Sequence, residues 1–353
     1  MEERLVQSAT KSAAQELAKE YPLPNEEQLI QELLAIREKR VKPDQSGTFI
    51  RESHPKHHGC VRAEFIVEPN LPAELQVGLF AKGQTYPARI RFSNASSLKR
   101  DGTFRPDIKH DVRGMAIKLV GVEGEKLLDD EKHETTQDFL LISADALIAN
   151  DLASFVNLLG EPTPLKLLWF FLNPFNLHIR ELGIGIRSVK RHGNPLDVQY
   201  FSVVPFLFGD RAVKYQVRPV VEHPDQIPKR PADDFLREAM QQRLRAGDAR
   251  FDFMVQIQTD PYKMPLEDPS IVWDEELSPY RKVATIHIPA QDFDSPAQLQ
   301  ACENLSFTPW HSLPEHRPLG GLNRARKVVY QALSRLRHQQ NNAERREPTA
   351  NGS

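Results

Sequence analysis

The chain has 353 residues, of which 40% are hydrophobic and 27% are charged, as expected for a globular protein with a substantial core. Its 46 basic and 48 acidic side chains nearly cancel, which gives no argument for nucleic acid or an anionic membrane as a partner. The only cysteines, Cys60 and Cys302, cannot build a disulfide framework and suit a reducing compartment. The N-terminus has early acidic residues and no apolar core, unlike a signal peptide, so we expect a cytoplasmic protein.

Residues 1–45 predict a charged, helical N-terminal arm. Asn25 and Gln28 match a capping box ahead of the apolar positions of residues 29–36, and Pro43 predicts the end of this helix. From about residue 60 the pattern changes to short β-rich segments separated by turn residues. These predicted strands lie at 60–69, 88–94, 114–121, 138–143, 199–209, 250–258 and 282–289.

The strand pattern is clearest in residues 250–258, where one face is formed by Phe251, Phe253, Val255 and Ile257. Helical patterns near 151–160 and 232–246 interrupt the strands, so we predict an α+β fold around a large antiparallel sheet. The most apolar segment, residues 164–179, contains Pro174 and is too short to cross a bilayer. It suits a buried helix or the wall of a cavity better than a membrane-surface element, whereas residues 341–353 predict a disordered tail.

The first candidate functional residues lie on a helix predicted from about 323 to 340. Arg326, Tyr330 and Arg337 are four and seven residues apart and therefore follow one stripe of this helix. A phenol with its usual pKa near 10 seldom ligates a metal, but a guanidinium one turn away and a ferric ion both favour the phenolate. An arginine two turns further can meet a carboxylate of the same bound group. The alternative is an amphipathic basic helix that happens to carry a tyrosine.

The stretch from Arg326 to Tyr330 resembles the R-x-x-x-Y proximal motif of haem catalases, in which the tyrosine holds the haem iron. That family also has an arginine near a haem propionate seven residues after the tyrosine, where this chain has Arg337. The resemblance therefore implies haem b as the cofactor, Tyr330 as the axial ligand of the iron, and Arg326 and Arg337 as cofactor-binding residues.

Residues 51–59 supply a second, independent resemblance. The family pattern R-x-x-H-A-K-x-x-G is matched by Arg51, His54, Lys56 and Gly59 at the same spacing. The match implies that His54 is the distal catalytic histidine and Arg51 a propionate ligand, and it selects His54 over the histidines at 57–58. Two other interpretations remain: a metal site formed by three histidines, which lacks carboxylate or cysteine partners at a recognisable spacing, and a solvated histidine loop.

A third resemblance lies in residues 88–93 and 111–118, which are similar to the family's V-R-F-S and D-P-R-G-F-A-V-K segments. It implies that Arg91 binds a propionate and that Ser93 hydrogen-bonds the distal histidine. Phe155 falls where the family places a phenylalanine over the haem.

The chain also departs from catalases near the implied distal side. Ile142 and Ser143 stand where an asparagine is usual, and Ser53 replaces the valine before the distal histidine. A hydroxylic residue at that point resembles the catalase-like allene oxide synthases, which rearrange fatty-acid hydroperoxides. These departures weaken the expectation of rapid hydrogen peroxide dismutation while leaving haem binding as the implied property.

The resemblance implies a catalase-like β-barrel with flanking helices and a C-terminal haem-ligating helix, formed by residues 46–340. Three functions follow as hypotheses: a catalase or peroxidase acting on hydrogen peroxide or small hydroperoxides, an enzyme that rearranges or reduces fatty-acid hydroperoxides, and a haem-binding or sensing protein with little turnover. The expected partner is a peroxide, with no nucleic acid and no integral membrane segment. A homo-oligomer is left open.

Overall fold

Nine antiparallel β-strands form one sheet in the computed structural model, which describes residues 16–160 and 179–349. The sheet order is β5-β4-β3-β2-β1-β9-β8-β7-β6, and β5 also pairs with β7. That extra pairing closes eight of the strands into a barrel, with β6 attached to β7 outside the ring. The strands are β1 (His57–Val67), β2 (Thr85–Asn94), β3 (Arg113–Val120), β4 (Thr136–Ile142), β5 (Tyr200–Phe201), β6 (Phe206–Phe208), β7 (Arg211–Pro219), β8 (Ala249–Ile257) and β9 (Arg281–Ile288).

The interior of the barrel is filled by aromatic side chains. The ring centroid of Phe253 lies 4.9 Å from that of Phe139, 5.0 Å from that of Phe65 and 5.3 Å from that of Tyr215. All four residues are buried. Edge-to-face and tilted packing at these distances stabilises a core beyond the burial of area alone. Because the interior is a packed core, the residues that face outward from the strands are the ones available to a ligand.

Six helices lie outside the barrel within the described residues. The C-terminal helix α6 buries Leu322, Ala325 and Val329 against the core, and α1 packs against both α6 and α2. This arrangement brings the predicted proximal helix alongside the barrel wall. The helices are α1 (Glu26–Glu38), α2 (Leu152–Leu159), α3 (Ile179–Ser188), α4 (Phe235–Ala246), α5 (Pro296–Asn304) and α6 (Gly321–Gln340).

The predicted α+β fold with a large antiparallel barrel is confirmed, and the local predictions differ from the structure in three places. The segment 199–209 is two short strands, separated where Val203 takes a left-handed φ of 63°. Strand β7 was not predicted, because its outward face carries a charged residue, Lys214. This lysine is buried and donates a hydrogen bond to the carbonyl of Ile271 at 3.0 Å. Asn25 is the N-cap of α1 but makes no side-chain capping hydrogen bond, so the predicted capping box is not formed.

The structure gives residues 341–349 a defined place instead of the expected disorder. The carboxylate of Glu347 is buried and lies 2.7 Å from Lys118 Nζ, which also pairs with Asp138 at 2.7 Å. Thr136 donates a further hydrogen bond to Glu347 at 2.9 Å. This polar network was not visible in the sequence because Glu347 meets partners more than 200 positions away.

The two cysteines form a disulfide between β1 and α5, with a Cα–Cα distance of 5.5 Å. Disulfides are rare in reducing compartments, so the cysteines do not support the reducing compartment that their number suggested. The apolar segment 164–179 lies outside the described residues except for Ile179, which begins α3. Within the part of the chain that is described, no helix has the length and apolar character needed to span a membrane.

Candidate active site

A cavity lies between the outer face of β2–β4 and helix α6. It contains about 1060 Å³ of empty space, part of which is open to solvent. The strand register explains the barrel wall of this cavity: Ser93 pairs with Gly114 and Gly114 with Ile142, and the neighbouring outward row contains Arg91. Seven of the eight predicted site residues line the cavity, namely Arg51, His54, Arg91, Ser93, Arg326, Tyr330 and Arg337.

His54 is held against the barrel wall by contacts on two sides. Its Nδ1 lies 3.1 Å from the hydroxyl of Ser93, and its backbone carbonyl accepts a hydrogen bond from Arg91 at 2.9 Å. The backbone of His54 has a left-handed φ of 56°, an uncommon conformation for a residue with a side chain. Ser93 and Arg91 lie outside the loop that carries His54, and their contacts fix the imidazole at the cavity.

Burial and the nearby positive charges of Arg91 and Arg326 lower the pKa of His54 from 6.5 to about 3. Desolvation penalises the charged imidazolium, and a guanidinium repels it further. The imidazole is consequently neutral at ordinary pH, with one ring nitrogen available as a proton acceptor.

Gly114 provides the space in which the imidazole of His54 lies. A Cβ at this position would stand 2.6 Å from His54 Cε1 and 2.8 Å from Ser93 Oγ. Both distances are shorter than real side-chain contacts allow, so only glycine lets the histidine approach β3 this closely. Gly114, in the third motif, therefore makes possible the contact between His54 of the second motif and Ser93.

Tyr330 and Arg326 line the cavity from helix α6. The Arg326 guanidinium lies over the Tyr330 ring, 5.8 Å from its centroid, and donates a hydrogen bond to Asn323 Oδ1 at 3.3 Å. Among the described residues the phenolic oxygen of Tyr330 has no hydrogen-bond partner, although the residue is half-buried. This leaves the phenol available to a ligand in the cavity.

The three remaining arginines, Arg51, Arg91 and Arg337, meet at one carboxylate that sequence reasoning missed. Glu303 Oε1 lies 2.9 Å from Arg51 Nη1 and 3.2 Å from Arg337 Nη1, and Glu303 Oε2 lies 3.9 Å from Arg91 Nη2. No motif spacing in the sequence marks this glutamate, because its partners come from three distant segments. We call Arg51, Arg91 and Arg337 the arginine triad.

The other two histidines of the second motif have partners away from the cavity. His58 Nε2 lies 2.8 Å from Asn94 Oδ1, and His57 Nε2 lies 3.8 Å from Glu303. Neither is in a solvated loop, because His58 is buried and His57 is largely enclosed. In residues 16–160 and 179–349, no group of three or more potential side-chain ligands is arranged to hold a metal ion.

The predicted role of Phe155 is not matched by its position. Its ring packs against Arg37, whose guanidinium is 5.9 Å from the ring centroid, and it does not line the cavity. Ser143 accepts a hydrogen bond from the backbone of Arg113 at 2.9 Å, whereas Ile142 and Ser53 do line the cavity. An apolar side chain therefore occupies the wall where an amide was expected from catalases.

The cavity suits the haem group that the sequence resemblance implies. It combines a phenol free to bind a metal with a triad able to bind carboxylates. Arg91 Nε and Arg51 Nη1 are buried and make no hydrogen bond with the described residues. Arg51 Nη1 is ion-paired with Glu303 Oε1 at 2.9 Å, whereas Arg91 Nε remains an unused donor of the triad. A buried donor without a partner is costly, which favours an anionic ligand at this wall.

Solved catalases have the same fold. A fungal catalase has a TM-score of 0.64 and 16% identity, covering 92% of this chain and 65% of its own. Catalase A from Saccharomyces cerevisiae has a TM-score of 0.63 and 17% identity, covering 93% of this chain and 69% of its own. A bacterial catalase has a TM-score of 0.60 and 16% identity, covering 94% and 64%. The fold is therefore that of the catalases.

The chain is also similar in sequence to a curated relative. A catalase-related peroxidase of Mycolicibacterium paratuberculosis is 31% identical over 211 residues, which make up 54% of this chain and 60% of the relative. The chain thus matches less than two thirds of that relative's length. No protein-family model matches the chain. The chain thus has the fold of the catalases and is similar in sequence to a catalase-related peroxidase.

Substituting Gly114 by alanine should displace the imidazole of His54 from Ser93 without disturbing the fold, because the added methyl group meets only these two side chains closely. Once released from its buried place, His54 should titrate closer to the usual histidine pKa of about 6.5. Histidine NMR titration of the apoprotein measures this shift. Gly183→Ala is the matched control, since a Cβ at Gly183 meets nothing within 4 Å. An unchanged His54 titration in Gly114→Ala would contradict the interpretation.

Proposed function

We propose that the chain is a haem-dependent enzyme that processes peroxides by catalase- or peroxidase-type chemistry. The observation that carries the proposal is the convergence of His54 with Ser93, of Tyr330 and of the arginine triad on one cavity. These side chains come from separate segments of the chain, and each has a use in binding haem or in moving the proton of a peroxide. The resemblance to catalases and to a catalase-related peroxidase supports the same function.

Tyr330 would bind the haem iron through its phenolate oxygen, and the arginine triad would bind the two propionates of haem b. When bound, ferric haem supplies the electron chemistry of O–O cleavage. The Arg326 guanidinium, which lies over the Tyr330 ring, would place a positive charge beside this ligand. The apolar barrel wall around Leu140 and Ile142 would exclude water from the group bound in the cavity.

His54 would transfer the proton of the peroxide. In the tautomer whose Nδ1–H donates to Ser93, Nε2 of His54 would be the free base that meets the peroxide. The neutral imidazole accepts the proton from one peroxide oxygen and returns it to the other, which then leaves as water or an alcohol. Because burial keeps the pKa of His54 at about 3, this base remains available throughout the neutral and mildly acidic range.

Replacing Tyr330 by phenylalanine should remove most of the bound haem, because the ring keeps its volume but loses the oxygen ligand. Purified wild-type protein should contain about one haem per chain, in keeping with a single axial ligand. Haem content and the absorption spectrum after reconstitution measure the effect, and Tyr262→Phe, at an exposed tyrosine, is the control. If Tyr330→Phe kept the wild-type spectrum and haem content, the assignment of the axial ligand would be wrong.

Replacing His54 by alanine should preserve haem binding and slow the reaction with peroxide by roughly 100-fold or more, the usual range for loss of a general acid–base group. Stopped-flow mixing with peroxide measures the rate. His57→Ala and His58→Ala should have much smaller effects, since neither ring lines the cavity. Equal losses at all three positions would remove the special role of His54. A wild-type haem protein that consumes no peroxide would indicate a binding or sensing function instead.

A fatty-acid hydroperoxide is a second candidate substrate, favoured by the apolar lining of the cavity. Ile50, Leu140, Ile142, Leu147 and Val204 all line it. Without a distal amide, hydrogen peroxide loses a positioning hydrogen bond worth about 1 kcal/mol. Each methylene of a lipid that is buried contributes roughly 0.8 kcal/mol, so remote binding can position a lipid peroxide where the amide no longer does.

Side-by-side kinetics distinguish the two substrates. We expect slow turnover of hydrogen peroxide and a higher kcat/KM for a long-chain fatty-acid hydroperoxide, because only the latter gains binding energy from the apolar wall. Ile142→Asn should shift the preference towards hydrogen peroxide by restoring an amide at the wall. If wild-type protein consumes hydrogen peroxide faster than the lipid hydroperoxide at equal concentration, the lipid hypothesis is to be abandoned in favour of a small catalase or peroxidase.

A further inference from the structure

We propose that Glu303 is a positioning residue that holds the arginine triad ready for a ligand with two carboxylates. The inference rests on the proposed haem function and concerns the way in which the chain prepares its own site. Glu303 contacts all three arginines but does not itself line the cavity. The triad therefore lies between Glu303 and the cavity. Glu303 contacts the arginines on the side away from the cavity and leaves their cavity side free for a ligand.

Three like charges at one wall repel one another, and burial increases the cost. The side chains of Arg91 and Arg337 are 3% and 4% exposed, so water screens the repulsion poorly. Burial lowers the pKa of Arg337 to about 9, with repulsion from Arg51 acting in the same direction, while Glu303 raises it. Burial likewise lowers the pKa of Arg91, and Glu303 raises it. A single carboxylate therefore makes the close approach of three guanidinium groups tolerable.

The charge balance that results suits a dianionic ligand. One carboxylate offsets one of the three positive charges, and the remaining two match the two propionates of haem b. His57, the other titratable group near Glu303, does not change this balance, because burial and the neighbouring arginines hold its pKa well below 6.5 and keep it neutral. The glutamate thus sets both the position and the net charge of the binding wall.

Backbone contacts and the disulfide place Glu303 at this point. The carbonyl of Glu303 accepts a hydrogen bond from Arg337, and the carbonyl of Leu305 accepts others from Arg51 and, at 3.1 Å, from Arg337. The preceding residue, Cys302, is bonded to Cys60 on β1. The end of α5 is therefore tied to the barrel beside the segment that carries Arg51 and His54.

Binding of metal-free protoporphyrin IX tests the proposal without iron ligation or turnover. In Glu303→Gln the arginines lose their shared anion, and part of the ligand's binding energy is then used to bring them together. We therefore expect affinity for this diacid to fall about tenfold, or ~1.4 kcal/mol. Affinity for protoporphyrin dimethyl ester, which has no carboxylates, should be unchanged. Glu303→Asp keeps the charge and should recover most of the diacid affinity. Glu238→Gln, which removes an exposed carboxylate on α4, is the matched control.

The outcomes separate this proposal from the haem function. Equal or tighter diacid binding by Glu303→Gln, or equal losses for diacid and ester, would overturn the positioning role while leaving haem binding intact. A wild-type protein that binds neither haem nor the metal-free diacid would overturn both. If Glu303→Gln does not fold, Arg51→Gln is compared with Arg51→Gln/Glu303→Gln, in which one charge of each sign is removed. The double variant should still bind the diacid more weakly, and equal affinity would contradict the proposal.

Discussion

The site depends on bringing several positive charges together at one wall of a largely apolar cavity. Arg51, Arg91 and Arg337 come from a loop, a strand and a helix, and mutual repulsion would drive them apart if nothing opposed it. Glu303 opposes it from within the protein, and the disulfide beside it fixes the end of α5 to β1. Burial, together with the charges of Arg91, Arg326 and Arg37, lowers the pKa of His54, so one arginine of the triad also helps to keep this imidazole neutral.

The chain shares the catalase fold while its distal wall has a different character. His54, Ser93 and Gly114 interlock through direct contacts, whereas Ile142 presents an apolar surface and Phe155 lies away from the cavity beside Arg37. The cavity therefore joins a buried, neutral imidazole to an apolar wall. That combination is the physical basis for considering an organic hydroperoxide as substrate.

Local patterns in the sequence were enough to predict the strands that alternate between core and surface, the C-terminal helix and most of the site. Alternation in residues 250–258 reports directly which side chains face the core, and the R-x-x-x-Y spacing places Arg326 and Tyr330 on one helical stripe. The other site residues were predicted from the resemblance to haem catalases, and seven of the eight predicted residues line one cavity.

Contacts between distant segments were decided only by the tertiary structure. Glu303 has no local signature, since its partners at 51, 91 and 337 are adjacent only after the barrel closes and α6 packs on it. The Cys60–Cys302 bond and the pairing of Glu347 with Lys118 also join distant segments. Lys214 is buried although it is charged, so a hydropathy pattern does not reveal the strand that contains it. Sequence periodicity reports which face of an element is buried, but charge pairing and covalent closure depend on where the rest of the chain comes to lie.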